Sequence, residues 1–208
     1  MNFLKRSSLS LLLFFSLFHA LADSTGKGTS VADTNGLMAG FDASFEKGLF
    51  KSALDISKHH LTGFIFLKKT PENSYRILFS NQIGIKFFDL EISESNFIVH
   101  YCFPSMDRKQ FLKVLKNDFR TLLFPFSGIK KIDIIAVERN TTEFKVKSAS
   151  GGWVYRILNE SGRITQMRSR WKLFDKTILE INYTGSSPSR MTIRNPIIRF
   201  NLLMELMP

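Results

Sequence analysis

Short apolar runs and turn residues alternate along most of this chain. From about Lys47, stretches rich in Ile, Phe, Val, Leu, Tyr and Thr recur near 47–56, 59–69, 74–81, 83–92 and 96–104. They break at Ser57-Lys58, Thr70-Pro71-Glu72-Asn73, Asn81-Gln82 and Ser93-Glu94-Ser95. Pro71 cannot donate to a strand ladder and Asn73 tolerates turn geometry, so that break is the firmest. A second series runs near 131–138, 142–149, 152–159, 163–171, 176–184, 189–194 and 197–206. Turns every 8–12 residues or so predict antiparallel hairpins in a sandwich or barrel.

One segment changes period. From Asp107 to Leu123, the residues Phe111, Leu115, Phe119 and Leu122 follow at spacings of four, four and three. Leu112 and Leu123 widen the stripe, while Lys109, Lys113, Lys116 and Arg120 fall largely opposite. This predicts an amphipathic helix, capped by Ser105 or Asp107 and stopped by Pro125. Helices do not alternate with strands, which argues against a parallel α/β sheet.

The start of the chain has another character. Lys5 and Arg6 precede a mostly apolar run, Leu9 to Leu21, and Ala20-Leu21-Ala22 supplies small residues for a cut after Ala22. Residues 1–22 therefore read as a signal peptide, and the run is too short to favour a membrane anchor. Residues 23–43 read as a flexible lead-in, and residues 44–207 as one β domain. Export is the expectation, to the periplasm or the outer-membrane periphery.

Composition adds three points. The 21 Phe residues need a core or a cavity to line. The signal takes two of the 29 basic residues and none of the 18 acidic ones, so the exported part carries +9. Such a charge suits anionic partners, although net charge alone speaks only to solubility and non-specific binding. Basic residues are also scattered along the chain, and outside the cytoplasm nucleic acid is not the expected partner. The single Cys102 cannot form an internal disulfide, and within Tyr101-Cys102-Phe103 it reads as an inert packing residue.

Candidate chemistry is sparse. Adjacent His59 and His60 point to opposite faces of a strand and cannot readily share a metal ion. His100 and Cys102 share a face but offer only two ligands. Asp89 and Glu91 could space a glycosidase pair, yet any solvated strand face could carry them. The three sequons, at Asn140, Asn159 and Asn182, matter only where the host secretes through an endoplasmic reticulum. No metal, no cofactor and no enzymatic activity are expected.

Several strands are apolar on both faces: Phe64 to Leu67, Ile77 to Phe79, and Phe87, Phe88 and Leu90. A half-solvated strand would alternate cleanly. One explanation is a fully buried sheet; the other is a curved sheet enclosing an apolar ligand. For the second, the inward set is taken as Phe64, Phe66, Ile77, Phe79, Phe88, Leu90, Val99 and Tyr101, with Arg76, Lys86 and His100 on the opposite face.

The order of these elements resembles the bacterial LolA/LolB-like family over about residues 44–207. The segments that carry the resemblance are Leu61–Lys68, Tyr75–Ser80, Gly84–Leu90 and Lys116–Arg120. It implies an open, half-barrel antiparallel sheet of about eleven strands with a helix packed on it or acting as its lid. It also implies binding of lipid or a lipoprotein acyl chain in an apolar cavity, in lipid or lipoprotein transport, with transient contact to a membrane surface or an envelope protein. The sequence lacks the lipidated cysteine of the family's anchored receptor and offers one helix where the carrier has several. An envelope adaptor using the same fold is the alternative.

Overall fold

The computed structural model describes residues 45–125, 129–138, 140–148, 152–171 and 174–208. The segments expected to be a signal peptide and a lead-in lie outside the described residues. Twelve strands form one antiparallel sheet: β1 (Lys47–Ile56), β2 (His59–Lys69), β3 (Tyr75–Ser80), β4 (Lys86–Ile92), β5 (Phe97–Cys102), β6 (Ile129–Glu138), β7 (Thr141–Ser148), β8 (Trp153–Asn159), β9 (Ile164–Trp171), β10 (Phe174–Thr184), β11 (Ser187–Asn195) and β12 (Phe200–Leu206). The helix α1 (Lys109–Leu123) follows β5. Among the described residues the fold class is the one expected: mainly β, an open sheet with a single helix. The sheet has twelve strands where the family resemblance implied about eleven.

The strand order is β5-β4-β3-β2-β1-β12-β11-β10-β9-β8-β7-β6. The described chain thus starts mid-sheet, meanders to the β5 edge, and resumes at the opposite edge with β6. It then meanders back until β12 closes against β1. The connection between the two edges contains α1. The helix therefore carries the chain across one face of the sheet, which we call the inner face.

Alternation sets that face. Phe50, Leu54, Ile65, Leu67, Ile77, Phe79, Phe88 and Leu90 are fully buried, as are Met191, Ile193, Leu202 and Met204 from the other half. The helix adds Phe111, Leu115, Phe119, Leu122 and Leu123 to the same cluster. Its aromatic rings reach widely separated strands. Phe119 meets Phe88 of β4 edge-on at 6.5 Å, and Phe111 lies 6.4 Å from Phe200 of β12. Just past the helix, Phe124 meets Tyr75 of β3 at 5.6 Å.

Two devices bend the sheet around the helix. Register shifts interrupt several of its ladders, including β3–β4, β4–β5 and two places in β6–β7; bulges of this kind increase local twist and bend a strand. The second is Gly63, buried in β2. A Cβ there would stand 2.0 Å from the backbone oxygen of Ser80, so β3 leaves its ladder through space only glycine provides.

The helix start departs from the expectation. Its N-cap is Arg108, in extended conformation and without a side-chain cap bond, rather than Ser105 or Asp107. A turn over Phe103–Asp107 uses these backbone groups instead: the amides of Met106 and Asp107 both donate to the Phe103 carbonyl. The helix is held by its apolar face more than by its cap. Phe119 is 1% exposed, so Phe119→Ala should cost about 3–5 kcal/mol in urea unfolding. A loss below about 1 kcal/mol would show that this face is not packed core.

Candidate functional site

The candidate site is the inner face together with its helical cover. Of the residues expected to face inward, Ile77, Phe79, Phe88 and Leu90 do so and are fully buried. Phe64 and Phe66 are on the other face. Opposite residues in an antiparallel ladder share a face. Ile77 stands opposite Leu67 and Phe79 opposite Ile65, so β2 sends Ile65 and Leu67 inward. Tyr101 also turns outward. His100 is an extra residue opposite the Asp89–Leu90 step, so Tyr101 pairs with Asp89 rather than sharing a face with Leu90. Its ring lies 5.7 Å from the Lys86 ammonium. Val99 does stand opposite Leu90, but on the edge strand it remains 37% exposed.

Inside this apolar interior the helix meets the second half of the sheet through polar groups. Asp118 is 2% exposed and accepts a 2.8 Å hydrogen bond from Thr177 Oγ1 of β10. Asn195 of β11 and the charge of Lys176 also favour the ionised carboxylate. Oδ2 of Asp118 nevertheless lacks a hydrogen-bond partner. Burial dominates and pushes the carboxyl up to about 6. Beyond the C-terminus of α1, the buried Arg156 of β8 donates to the Pro125 carbonyl. Burial lowers its guanidinium to about 10, which leaves it charged at neutral pH. At the other edge, Arg120 Nη2 donates to the Asn96 carbonyl at 3.1 Å in the β4–β5 turn. The helix is thus tied to both halves of the sheet.

Asp118 was missed as a site residue, although a signal was present. It sits at 111, 115, 118, 122 spacing, on the apolar stripe itself, where an acid is out of place. Thr177 and Asn195 had no local signal, because only the fold brings them to Asp118.

The remaining candidates are occupied structurally. Arg76 Nε lies 2.5 Å from Asp89 Oδ1, and Lys86 lies 3.0 Å from Oδ2. Burial opposes ionisation of Asp89, but the bonds from Arg76 and Lys86 outweigh it and hold its pKa below the ordinary value. Glu91 is held low by hydrogen bonds from Ser74 and His100. Neither carboxylate is poised to give a proton at neutral pH. Cys102 is half-buried, and burial, then the Asp107 charge, push its thiol up to about 11. It is not a ready nucleophile. His59 and His60 are exposed, and His60 Nδ1 lies 2.5 Å from Asp55. Among the described residues no three His, Cys, Asp or Glu side chains gather as a metal site, and no helix is long and apolar enough to cross a membrane.

A cavity of about 490 Å³ opens on the outer face, lined by Ile157, Thr165, Gln166, Glu180, Asn182, Arg190 and Thr192. It is polar, and Glu180 is already bonded to Arg194 at 2.6 Å.

No family model matches the chain, and no curated protein does. Similar solved structures include a LolA superfamily protein from Nitrosomonas europaea, at 7% identity and TM-score 0.48 over 78% of this chain and 83% of that one. A domain described as outer membrane lipoprotein-sorting, from Vibrio parahaemolyticus, has 9% identity and TM-score 0.46 over 81% and 86%. A DUF1329 family protein from Desulfovibrio piger has 7% and 0.45 over 79% and 85%. Likenesses this distant say nothing of what this chain binds.

The polar tie gives a pH signature. Asp118 binds its proton more tightly folded than unfolded, so its contribution to stability is fullest below about pH 4. That contribution falls as pH rises through 6 and is flat above. A carboxyl raised from the ordinary 3.8 to about 6 accounts for about 3 kcal/mol at most. Asp118→Asn should therefore gain about 1–3 kcal/mol over wild type at pH 7.5 and little or nothing at pH 4. Urea midpoints at the two pH values decide it; a variant equally destabilised at both would mean that the carboxylate itself supports the helix.

Proposed function

We propose that this chain binds lipid through an acyl chain on the inner face of the sheet, with α1 as a displaceable cover, and that it does so without catalysis as an exported protein of the cell envelope. The observation that carries the reading is the arrangement of the cover. A continuous apolar face spans an open sheet, and one helix, tied to both halves of the sheet by polar contacts, packs on it.

The magnitudes permit exchange. Five buried helix side chains, at about 1.5–3 kcal/mol each, give roughly 8–15 kcal/mol of gross burial. A sixteen-carbon acyl chain at about 0.8 kcal/mol per CH₂ gives roughly 12 kcal/mol. A bound chain can thus offset the loss of the helix from its seat. The charged Asp118 lowers the cost of release, because it regains water when the helix lifts.

A second reading is an envelope adaptor. It draws on Leu49, Phe66 and Leu78, which stand side by side on the outer face of β1, β2 and β3 and retain some exposure.

Titration with a fluorescent fatty-acid probe separates the two. Wild type should bind it. Phe79→Glu or Leu90→Lys on the inner face should abolish binding, while Phe66→Ser on the outer face should leave it within about threefold, since outer substitutions do not touch the site. Stability is followed in parallel, because an unpaired buried charge is itself costly. If wild type neither binds the probe nor carries lipid when purified from its own host, the lipid reading fails and the adaptor leads.

A further inference from the structure

The outer face of β6–β9 differs from the rest of that surface. In the ladders, Lys131, Lys147, Trp153 and Arg170 stand in one row across four strands. The next row carries Lys145, Tyr155 and Arg168. Five cations and two aromatic rings therefore alternate on one sheet face.

Elsewhere on the outer face several cations have carboxylate partners, Arg76 and Lys86 with Asp89, Arg190 with Glu205, and Arg194 with Glu180, while Lys47, Lys51 and Lys68 of β1 and β2 form no ion pair among the described residues. Here Lys145 and Lys147 form no ion pair among the described residues. Their ammonium groups instead lie 4.3 and 5.8 Å from the Trp153 ring centre. Arg170 lies 4.8 Å over Tyr155. Two carboxylates neighbour the group, Asp133 at 3.0 Å from Lys131 and Glu143 at 3.9 Å from Arg168. Asp175 stands opposite Arg170 in the ladder. Counting all three acids, two positive charges remain in surplus.

We propose that this face docks the protein on an anionic lipid surface, with the lysines and Arg170 against headgroup phosphates and Trp153 and Tyr155 at headgroup level. Two features favour lipid over nucleic acid, and the magnitude of the charge term suits docking. The cations sit over the rings, so the aromatic faces are not open platforms for base stacking. Trp and Tyr carry an apolar body with a polar edge, which suits the membrane–water boundary. Basic residues near an anionic surface contribute about 1 kcal/mol each, enough for reversible docking by a small cluster. The choice of lipid as partner rests on the acyl-chain reading above. The site is nonetheless separate: it lies on the opposite side of the sheet from α1.

Co-sedimentation with vesicles tests it, using the chain as purified from its own host. Vesicles of phosphatidylcholine alone are compared with vesicles containing one-third phosphatidylglycerol. Wild type should prefer the anionic vesicles, and the preference should fade between about 50 and 500 mM salt. Lys145→Gln/Lys147→Gln/Arg170→Gln should weaken anionic binding by at least about tenfold, from three lost charges. Lys51→Gln/Lys58→Gln/Lys68→Gln, the same charge change on β1, β2 and the turn between them, should weaken it by less than about threefold. If the first triple variant folds poorly, Lys147→Gln alone, at an exposed position, should still give a loss of about fivefold. The fatty-acid probe is measured on each variant. Loss of vesicle binding in the first triple variant but not in the second supports the docking face; unchanged probe binding then shows the inner face intact, and where wild type binds no probe the vesicle comparison alone decides the docking face. Equal binding by both triple variants overturns it. Tight wild-type binding to a single-stranded oligonucleotide, with no preference for anionic vesicles, overturns it in favour of nucleic acid.

Discussion

The structure depends on covering the apolar inner face of an open twelve-stranded sheet. A closed barrel would bury that face on itself. Here the sheet ends at β5 and β6, and the cover is the segment that joins those edges. One element therefore does two jobs. The connection must cross the inner face because the described chain leaves the sheet at one edge and re-enters at the other, and a helix of 15 residues crosses with its apolar stripe toward the strands. The bulges and the missing Cβ of Gly63 bend the sheet to meet it. Phe88 and Phe200, from well-separated strands, then reach the same helix.

An apolar seat alone would hold the helix firmly. The polar ties change the balance between closed and open. Asp118 has a bond from Thr177 but keeps one oxygen without a hydrogen bond among the described residues, and its carboxyl is pushed up to about 6. At neutral pH it is a charge held where charge is costly. Replacing such a group with an apolar one would be an easy gain for a purely structural helix. Its presence fits a helix whose release matters, because part of the energy of opening is returned when the carboxylate meets water. Arg156, donating to Pro125 just beyond α1, holds the far end of the same segment. The outer face follows different rules. Arg76 and Lys86 neutralise Asp89 and Glu91 near β5, whereas the β7–β9 region presents lysines over a Trp ring.

Much of the fold was legible because local chemistry announces it. Pro71 and Asn73 mark a turn, Phe111 to Leu122 mark a helix, and the twelve apolar runs correspond to the twelve strands. The inward parity of β2 was not legible. Phe64 to Leu67 are apolar at every position, and only the pairing of Leu67 with Ile77 decides between the two sets. Tyr101 was misplaced for a related reason, since the extra residue at His100 flips every side chain after it and leaves no local mark. The helix cap was misread because Ser105 and Asp107 are good caps in isolation, while both fall in the turn before α1, where the amides of Met106 and Asp107 donate to the Phe103 carbonyl and the helix starts only after Arg108. Asp118 was visible as an acid on an apolar stripe. Its meaning came from Thr177, 59 residues away, which no local pattern supplies.

Lipid exchange on the inner face requires that α1 be a removable cover and not a fixed part of the core. An isolated helix of this length is marginal in water, so lifting α1 from its seat should let its amides exchange. Hydrogen–deuterium exchange across residues 109–123, with and without saturating long-chain fatty acid, measures this directly. Bound fatty acid should lower protection in α1 while the β1–β2 and β3–β4 ladders keep theirs. Unchanged or increased protection of α1 in a protein shown to be saturated with the fatty acid would contradict it.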